Sequence, residues 1–385
     1  MTSEERREAR YRRRRAGRLA RKQARSAAIG TVAEAFSFKA MFLYGRKCCN
    51  GVRWKQSTQN FERHLFSGTA KRRRQILSGQ WRPGKYIHFV LKERGKIRPI
   101  DAPHINDRQV HKTLSNNVLA PMYGPSMIYD NGASQRGKGL HFHYRRLKDQ
   151  LRHQYRRTGR DGAVVLADFH HYFPSAPRWL IYERHRQMIL NPEIRAIADA
   201  VVDSAPSQEV DKDGNPVGMP LSVEPSQNEM VALPSSLDNY LKCQRAIHGA
   251  GHYMDDYDMV LPSRLEAEET LEDMIRRAEG LGLQINRNKC HVVGMDKPFR
   301  FCKVKFIVTE TGRVITHGCR DGMKRARRKL KAFKPQVDAG EKTVQEVAEW
   351  LQCQIAYYEN FNDHGRVLRL RRLFHAIYCG GANHV

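Results

Sequence analysis

Hydrophobic positions along this chain change period from segment to segment. In residues 140–157, LHFHYRRLKDQLRHQYRR, Tyr144, Leu147, Leu151 and Tyr155 recur at helical intervals with basic residues on the other faces, which predicts an amphipathic helix. In 263–282, SRLEAEETLEDMIRRAEGLG, the residues Leu265, Leu271, Met274 and Ile275 predict another, with Gly280 as its stop. Residues 31–80, 177–205 and 224–242 also read as helical, the last interrupted near Pro234. Residues 1–28 read as a basic arm or frayed helix. The chain beyond residue 318 reads as helical and basic, and Thr343 and Glu346 are spaced as a capping box before Val347, Trp350 and Leu351.

Elsewhere the pattern is that of strands. YIHFVLKERGKIRPIDAP (86–103) predicts a hairpin turning at KERGK, and FRFCKVKFIVTETGRVI (299–315) a second around TETG. GAVVLADFHHYFPS (162–175) reads as a buried strand ending in a carboxylate. DKDGNPVGMP (211–220) faintly imitates a calcium loop through Asp211, Asp213 and Asn215, but Val223 stands where a bidentate Glu is needed, so a hairpin turn is expected. Strands and helices mix without βαβ alternation. This predicts an α+β fold, a sheet with helices packed on one face followed by a helical C-terminal piece.

With 385 residues the chain can bury a large core in two or three subdomains. Its 68 Lys and Arg against 40 Asp and Glu give a formal net charge of +28, which attracts nucleic acid or an anionic membrane surface. No run of about 18 apolar residues occurs, so membrane insertion is not expected. The basic start is followed by no apolar signal core, and Glu4, Glu5 and Glu8 count against a mitochondrial-type transit segment. That arm either touches nucleic acid specifically or is a solvated segment that adds charge. The eight cysteines are scattered without a CxxC pair and read as reduced thiols in a cytoplasm, not as a disulfide framework or zinc site.

The stretch HYMDDYDMVL (252–261) then stands out, because Asp255 and Asp256 lie among apolar neighbours. An unpartnered buried carboxylate is costly. Divalent cations can offset that cost, and oxygen-only ligation selects magnesium or manganese. Adjacent strand residues point to opposite faces, so the two carboxylates are not equivalent unless a turn joins them. Asp255 is assigned with Asp168 as a primary ligand and Asp256 as a supporting one; the alternative is an acidic surface turn.

Several blocks resemble, in order, those of reverse transcriptases. YMDD (253–256) resembles the catalytic box and LADFHHYFPS (166–175) the block with the first catalytic Asp. KERGKIRPIDAP (92–103) resembles the segment that holds the incoming triphosphate, and NGASQRGKGLHFHYRRL (131–147) a segment of bacterial reverse transcriptases. GMPLSVEPSQNEMVALPSSLDNYL (218–241), GLGLQINRNKC (280–290) and FRFCKVKF (299–306) resemble the block before YMDD, the lysine motif and the primer-grip hairpin. EWLQCQIAYYENFNDHGRVLRLRRLF (349–374) resembles the thumb of the group II intron and diversity-generating lineages. The resemblance covers roughly residues 85–375. It implies a right-hand polymerase with an antiparallel palm sheet and a helical C-terminal thumb. Residues 1–28 would be the basic arm, 29–160 fingers with N-terminal helices, 161–298 palm with part of the fingers, 299–317 the primer grip and 318–385 the thumb.

The resemblance also implies roles. Asp168, Asp255 and Asp256, with the Phe169 carbonyl, would hold two Mg²⁺, for which Mn²⁺ can substitute. Phe173 would be the gate against a ribose 2′-OH, or else a core aromatic. Lys92 and Arg98 would meet the triphosphate, or else lie on a solvated hairpin face. Lys289 would protonate the leaving pyrophosphate or contact phosphate. Leu221, Ser222 and Gln227 would border the nucleotide. Arg136 and Lys138 would grip template phosphate, and Tyr253, Met254, Phe301, Cys302 and Lys303 would contact nucleic acid. Leu221 and Ser222 depart from the Gln-Gly of many reverse transcriptases, while an aliphatic residue there and the later Ser226–Gln227 pair resemble diversity-generating enzymes.

The implied function is an RNA-directed DNA polymerase in a bacterial cytoplasm, using an RNA template, a DNA or RNA primer and dNTPs. The diversity-generating type would add a template repeat RNA and a small accessory protein. The alternatives are an anti-phage defence enzyme with an associated non-coding RNA, and a non-catalytic RNA-binding protein on a polymerase fold.

Overall fold

A computed structural model describes residues 2–93, 95–207, 209–361 and 363–380. The basic arm is a helix, α1 (Ser3–Ile29), started by a Thr2–Glu5 capping box and burying none of its residues. Four helices follow: α2 (Val32–Ala35), α3 (Phe38–Cys48), α4 (Gln56–Arg63) and α5 (Leu65–Leu77). The first hairpin, β1 (Ile87–Glu93) and β2 (Lys96–Ala102), pairs Ile87 with Ala102 and exposes Phe89, Val90, Leu91 and Ile97. Arg94, in its expected turn, lies outside the described residues.

Helix α6 (Ile105–Leu114) runs through a π-helical turn into α7 (Ala120–Tyr123), and α8 spans Leu140–Thr158. After β3 (Ala163–Asp168), the region expected to be one helical stretch divides into α9 (Arg178–Met188) and α10 (Pro192–Asp203). Asn191 starts the second by accepting from the amides of Glu193 and Ile194. Strands β4 (Glu209–Val210) and β5 (Pro216–Val217) form the small hairpin, whose turn Asp211 closes by accepting from the amides of Asp213 and Asn215. Then come α11 (Glu224–Ala232), α12 (Ser235–Asn239), β6 (Gly249–Tyr253), β7 (Asp256–Leu261), α13 (Arg264–Gly280) and β8 (His291–Gly294).

The central sheet is antiparallel, in the order β6-β7-β3-β8. Alternate residues of β3 and β7 face opposite sides. Ala163, Val165, Tyr257 and Met259 pack with Ala267, Met274, Ile275 and Ala278 of α13, whereas Val164, Leu166 and Val260 pack with Tyr144, Leu147 and Leu151 of α8. The expectation of helices on one face is therefore corrected. Both faces are covered, which is why β3 reads as an unbroken apolar run rather than an alternation.

The second face is completed by a three-stranded sheet, β9 (Phe299–Phe301), β10 (Val304–Val308) and β11 (Val314–His317), ordered β11-β10-β9. Two details of α13 also differ from expectation. Leu265 is exposed, because it lies two residues, about 200° round the helix, from Ala267 on the buried face. Gly280 is still helical, and Gly282 takes the left-handed conformation, with φ 72°.

The C-terminal helices α14 (Arg320–Asp338), α15 (Val344–Glu359) and α16 (His364–Tyr378) enclose their own apolar cluster around Leu330, Leu351, Ile355 and Leu370. The expected Thr343–Glu346 capping box starts α15. Residues 381–385 of the expected thumb lie outside the described residues. Among the described residues no single helix is long and apolar enough to cross a membrane.

Candidate active site

Strand pairing brings the carboxylates together. Asp168 ends β3 opposite Asp256, the first residue of β7, and the Phe169 amide donates to the Asp255 carbonyl at 3.1 Å. Tyr253 and Asp256 face each other across a turn made by Met254 and Asp255, so the adjacent acids do not alternate as in a strand. Met254 has φ 60°, a left-handed conformation uncommon for a residue other than glycine.

That turn rests on a buried polar network. His252 Nε2 donates to the Met254 carbonyl at 2.6 Å, and its Nδ1 faces Asp238 Oδ2 at 3.1 Å. Tyr257 donates its hydroxyl to the other Asp238 oxygen at 2.5 Å and stacks on the His252 ring. Burial opposes a charged His252, but the Asp238 carboxylate and these hydrogen bonds outweigh it, so its pKa is raised. The backbone of Asp130 and Gly132 pairs with His252 from the side. The sequence reasoning missed this network; the available signal was a histidine in an otherwise apolar strand, immediately before the acidic turn.

On the opposite side, the Asn286 amide donates to the Asp168 carbonyl at 2.8 Å and sets the following turn so that Lys289 Nζ reaches Asp168 Oδ2 at 2.5 Å. The hydrogen bond to Asp168 raises the Lys289 pKa, which keeps the ammonium charged. Cys302, in the turn between β9 and β10, donates its thiol to Asp256 Oδ2 at 3.3 Å. Burial, and next the Asp255 charge, push the Asp256 carboxyl up to about 6; burial likewise raises Asp255, with Asp168 adding to it.

Among the described residues no group of three or more His, Cys, Asp or Glu side chains is arranged to hold a metal ion. Lys289 engages one oxygen of Asp168, and Cys302 one of Asp256. The remaining donor set, Asp168, Asp255 and the Phe169 carbonyl, is all oxygen. Burial is the main cause of the raised Asp255 carboxyl, and the Asp168 charge adds to it. Such a set suits a hard divalent cation.

A cavity of about 740 Å³ opens beside Asp255 and Lys289. Arg98 and Asp101 of the first hairpin, Phe173 and Leu221 also line it. Phe173 is 7% exposed and fixed by the Met219 amide, which donates to its carbonyl at 2.8 Å. Gly218 is required there, having φ 94° and lying where a Cβ would come within 2.5 Å of the Pro174 carbonyl. Ser222 Oγ donates to the Asp101 carbonyl at 2.5 Å, and Gln227 Nε2 reaches the Leu221 carbonyl at 3.5 Å.

Other expected residues lie differently. Lys92 is exposed on β1 and is not itself among the residues that line this cavity, although its strand partner Ile97 is. Lys138 turns inward, donating to the carbonyls of Tyr129 at 2.8 Å and Asn131 at 3.0 Å, while Arg136 stays exposed. Phe301 is buried and stacks on His143, so it packs the core and offers nucleic acid no face; its neighbour Lys303 is exposed. Tyr253 is half-buried edge-on to the same histidine.

No curated protein matches the chain. Solved structures similar to it include apo telomerase from Candida tropicalis, at 10% identity and TM-score 0.47, covering 77% of this chain and 62% of that one. Telomerase from Candida albicans, in complex with a fragment of telomeric RNA, matches at 11% identity and TM-score 0.48, covering 80% of this chain and 58% of that one. The chain thus spans less than two thirds of either telomerase chain. Residues 90–306 match the family described as reverse transcriptase (RNA-dependent DNA polymerase). With more than half of its length matched and an α+β, right-hand polymerase fold, the chain belongs to the reverse transcriptase family.

Proposed function

We propose that this chain copies an RNA template into cDNA, by attack of a primer 3′-hydroxyl on the α-phosphorus of a bound dNTP with release of pyrophosphate. The observation that carries this reading is the meeting of Asp168 with the Asp255–Asp256 turn, beside a cavity that Asp255, Arg98 and Lys289 line. Asp168, Asp255 and the Phe169 carbonyl would hold Mg²⁺, or Mn²⁺ in its place, which in such sites activates the attacking hydroxyl and neutralises the leaving group. Arg98 offsets triphosphate charge as it shifts during transfer. Lys289 Nζ, held as an ammonium, supplies a proton to the pyrophosphate oxygen. Phe173 closes the sugar side of the cavity against a 2′-hydroxyl. The Cys302 thiol holds Asp256 back from the primary ligand set.

The finer reading is a diversity-generating enzyme of a bacterial cytoplasm, working on a template repeat RNA with a small accessory protein. Leu221 supports it, because an apolar side chain restrains nucleotide orientation less than a hydrogen-bonding Gln does. The test is primer extension on a defined RNA with Mg²⁺, supplying dNTPs or rNTPs, followed by sequencing of the product. Error-rich incorporation of dNTPs, with rNTPs rejected, is expected. RNA binding without incorporation would instead favour a non-catalytic RNA-binding protein, and accurate synthesis would remove the diversity-generating reading.

A further inference from the structure

A larger cavity, of about 990 Å³, lies between α8 and the far end of the β6–β7 hairpin. Gly249, Val260 and Leu261 border it, whereas the Met254–Asp255 turn is at the hairpin's other end, roughly 13 Å along the strand at about 3.3 Å per residue. Its wall contains five arginines against two carboxylates, Asp149 and Glu266. Arg152 and Arg156, and likewise His153 and Arg157, are four residues apart on α8, and all four are exposed. Among the described residues His153, Arg156 and Arg157 have no ion pair, and the Arg152–Asp149 contact at 3.2 Å is between two exposed side chains, which holds little energy.

A second, independent feature is Gln150, which lines the same cavity. It is 8% exposed, and neither polar atom of its amide has a hydrogen-bond partner among the described residues. A buried amide without partners costs free energy unless a ligand satisfies it. Phosphates complement the arginines. An amide, which both donates and accepts, complements a ribose 2′-hydroxyl, which does the same.

We propose that this cavity is a second RNA-binding site, which seats the sugar–phosphate backbone of an RNA segment other than the one being copied. Arginines of α8 hold its phosphates and Gln150 reads a 2′-hydroxyl, so the site prefers RNA to DNA. A concave cavity with an unpaired buried amide in its wall does not suit a membrane surface. The carboxylates of an acidic peptide only accept hydrogen bonds, so they would pair the amide N–H of Gln150 and leave its oxygen without a donor. This site does not depend on the polymerase reading, since it can bind RNA whether or not the chain extends primers.

The full chain is first saturated with a chain-terminated RNA–DNA primer–template. A labelled RNA hairpin, or the DNA hairpin of the same sequence, is then titrated by fluorescence anisotropy at several salt concentrations. The RNA hairpin is expected to bind in addition to the primer–template and more tightly than the DNA. The double variant Arg156→Ala/Arg157→Ala, both exposed and outside the polymerase cavity, should lower the log-affinity against log-salt slope by about 1 for each arginine removed. Gln150→Leu should abolish the preference for RNA, with thermal melting as the check on its fold. Three results would each overturn the proposal: complete displacement of the hairpin by primer–template, an unchanged salt slope in the arginine double variant, or displacement by polyglutamate with equal RNA and DNA affinity. Primer extension measured in parallel separates this outcome from failure of the polymerase reading.

Discussion

Lys289 Nζ donates to Asp168 Oδ2 at 2.5 Å, joining the turn after α13 to the end of β3. The lysine belongs to the catalytic group in this account, and its ammonium is the available proton source beside the carboxylates. Lys289→Ala is expected to slow nucleotide addition by about 10²–10⁴-fold, the usual contribution of a general acid. A single-turnover rate unchanged in Lys289→Ala, with dNTP affinity alone reduced, would mark Lys289 as a phosphate contact.

Ser222 and Leu221 lie between the cavity beside Asp255 and the first hairpin, and Ser222 donates to the Asp101 carbonyl at 2.5 Å. Leu221 is 43% exposed at the cavity and offers it only apolar surface. Discrimination by apolar packing is worth about 1–3 kcal/mol. Leu221→Gln is therefore expected to lower the misincorporation rate when cDNA from one defined RNA is sequenced. Equal error frequencies in wild type and variant would show that this position does not set fidelity.

Much of the site could be read along the chain because its signals are local. Asp168 closes an apolar run, and the adjacent acids sit in a turn between two such runs. What could not be read depends on contacts between distant segments. His252 meets Asp238 from the helical layer beneath it, and Cys302 approaches Asp256 only because β9 and β10 pack on the second face of the sheet. The inward turn of Lys138 and the burial of Phe301 follow from the same packing, since basic and aromatic residues in a plausible block carry no mark of which way they point. The coverage of both sheet faces was latent in the apolar run of β3, which a sheet with one solvated face would have interrupted.

His185 is buried between Asp199 Oδ1 at 2.6 Å and Glu229 Oε1 at 2.9 Å. Burial disfavours its charge, but the Glu229 carboxylate and both hydrogen bonds raise its pKa to about 9, from an ordinary value of 6.5. A histidine bound more tightly to its proton in the folded state stabilises the fold fully below pH 6.5, and that contribution is lost as pH rises through about 9. Melting temperature should fall over this interval, and the fall should be smaller in His185→Gln. Parallel melting curves for the two proteins from pH 6 to 10 would refute the linkage.

Helix α1 buries none of its residues and carries all of the arm's arginines. Deleting residues 1–28 should weaken RNA binding and flatten its salt dependence by about 0.7 per lost single-strand phosphate contact. Extension at saturating template should be unchanged. Loss of extension under those conditions would give the helix a structural task in the polymerase itself.

In the proposed reaction Asp255 serves nucleotidyl transfer and not folding. The most direct test is primer extension with Mg²⁺ by Asp255→Ala, alongside RNA binding and thermal melting of the same preparation. No detectable extension is expected, with RNA affinity and melting temperature retained. Extension by Asp255→Ala at the wild-type rate would contradict that role.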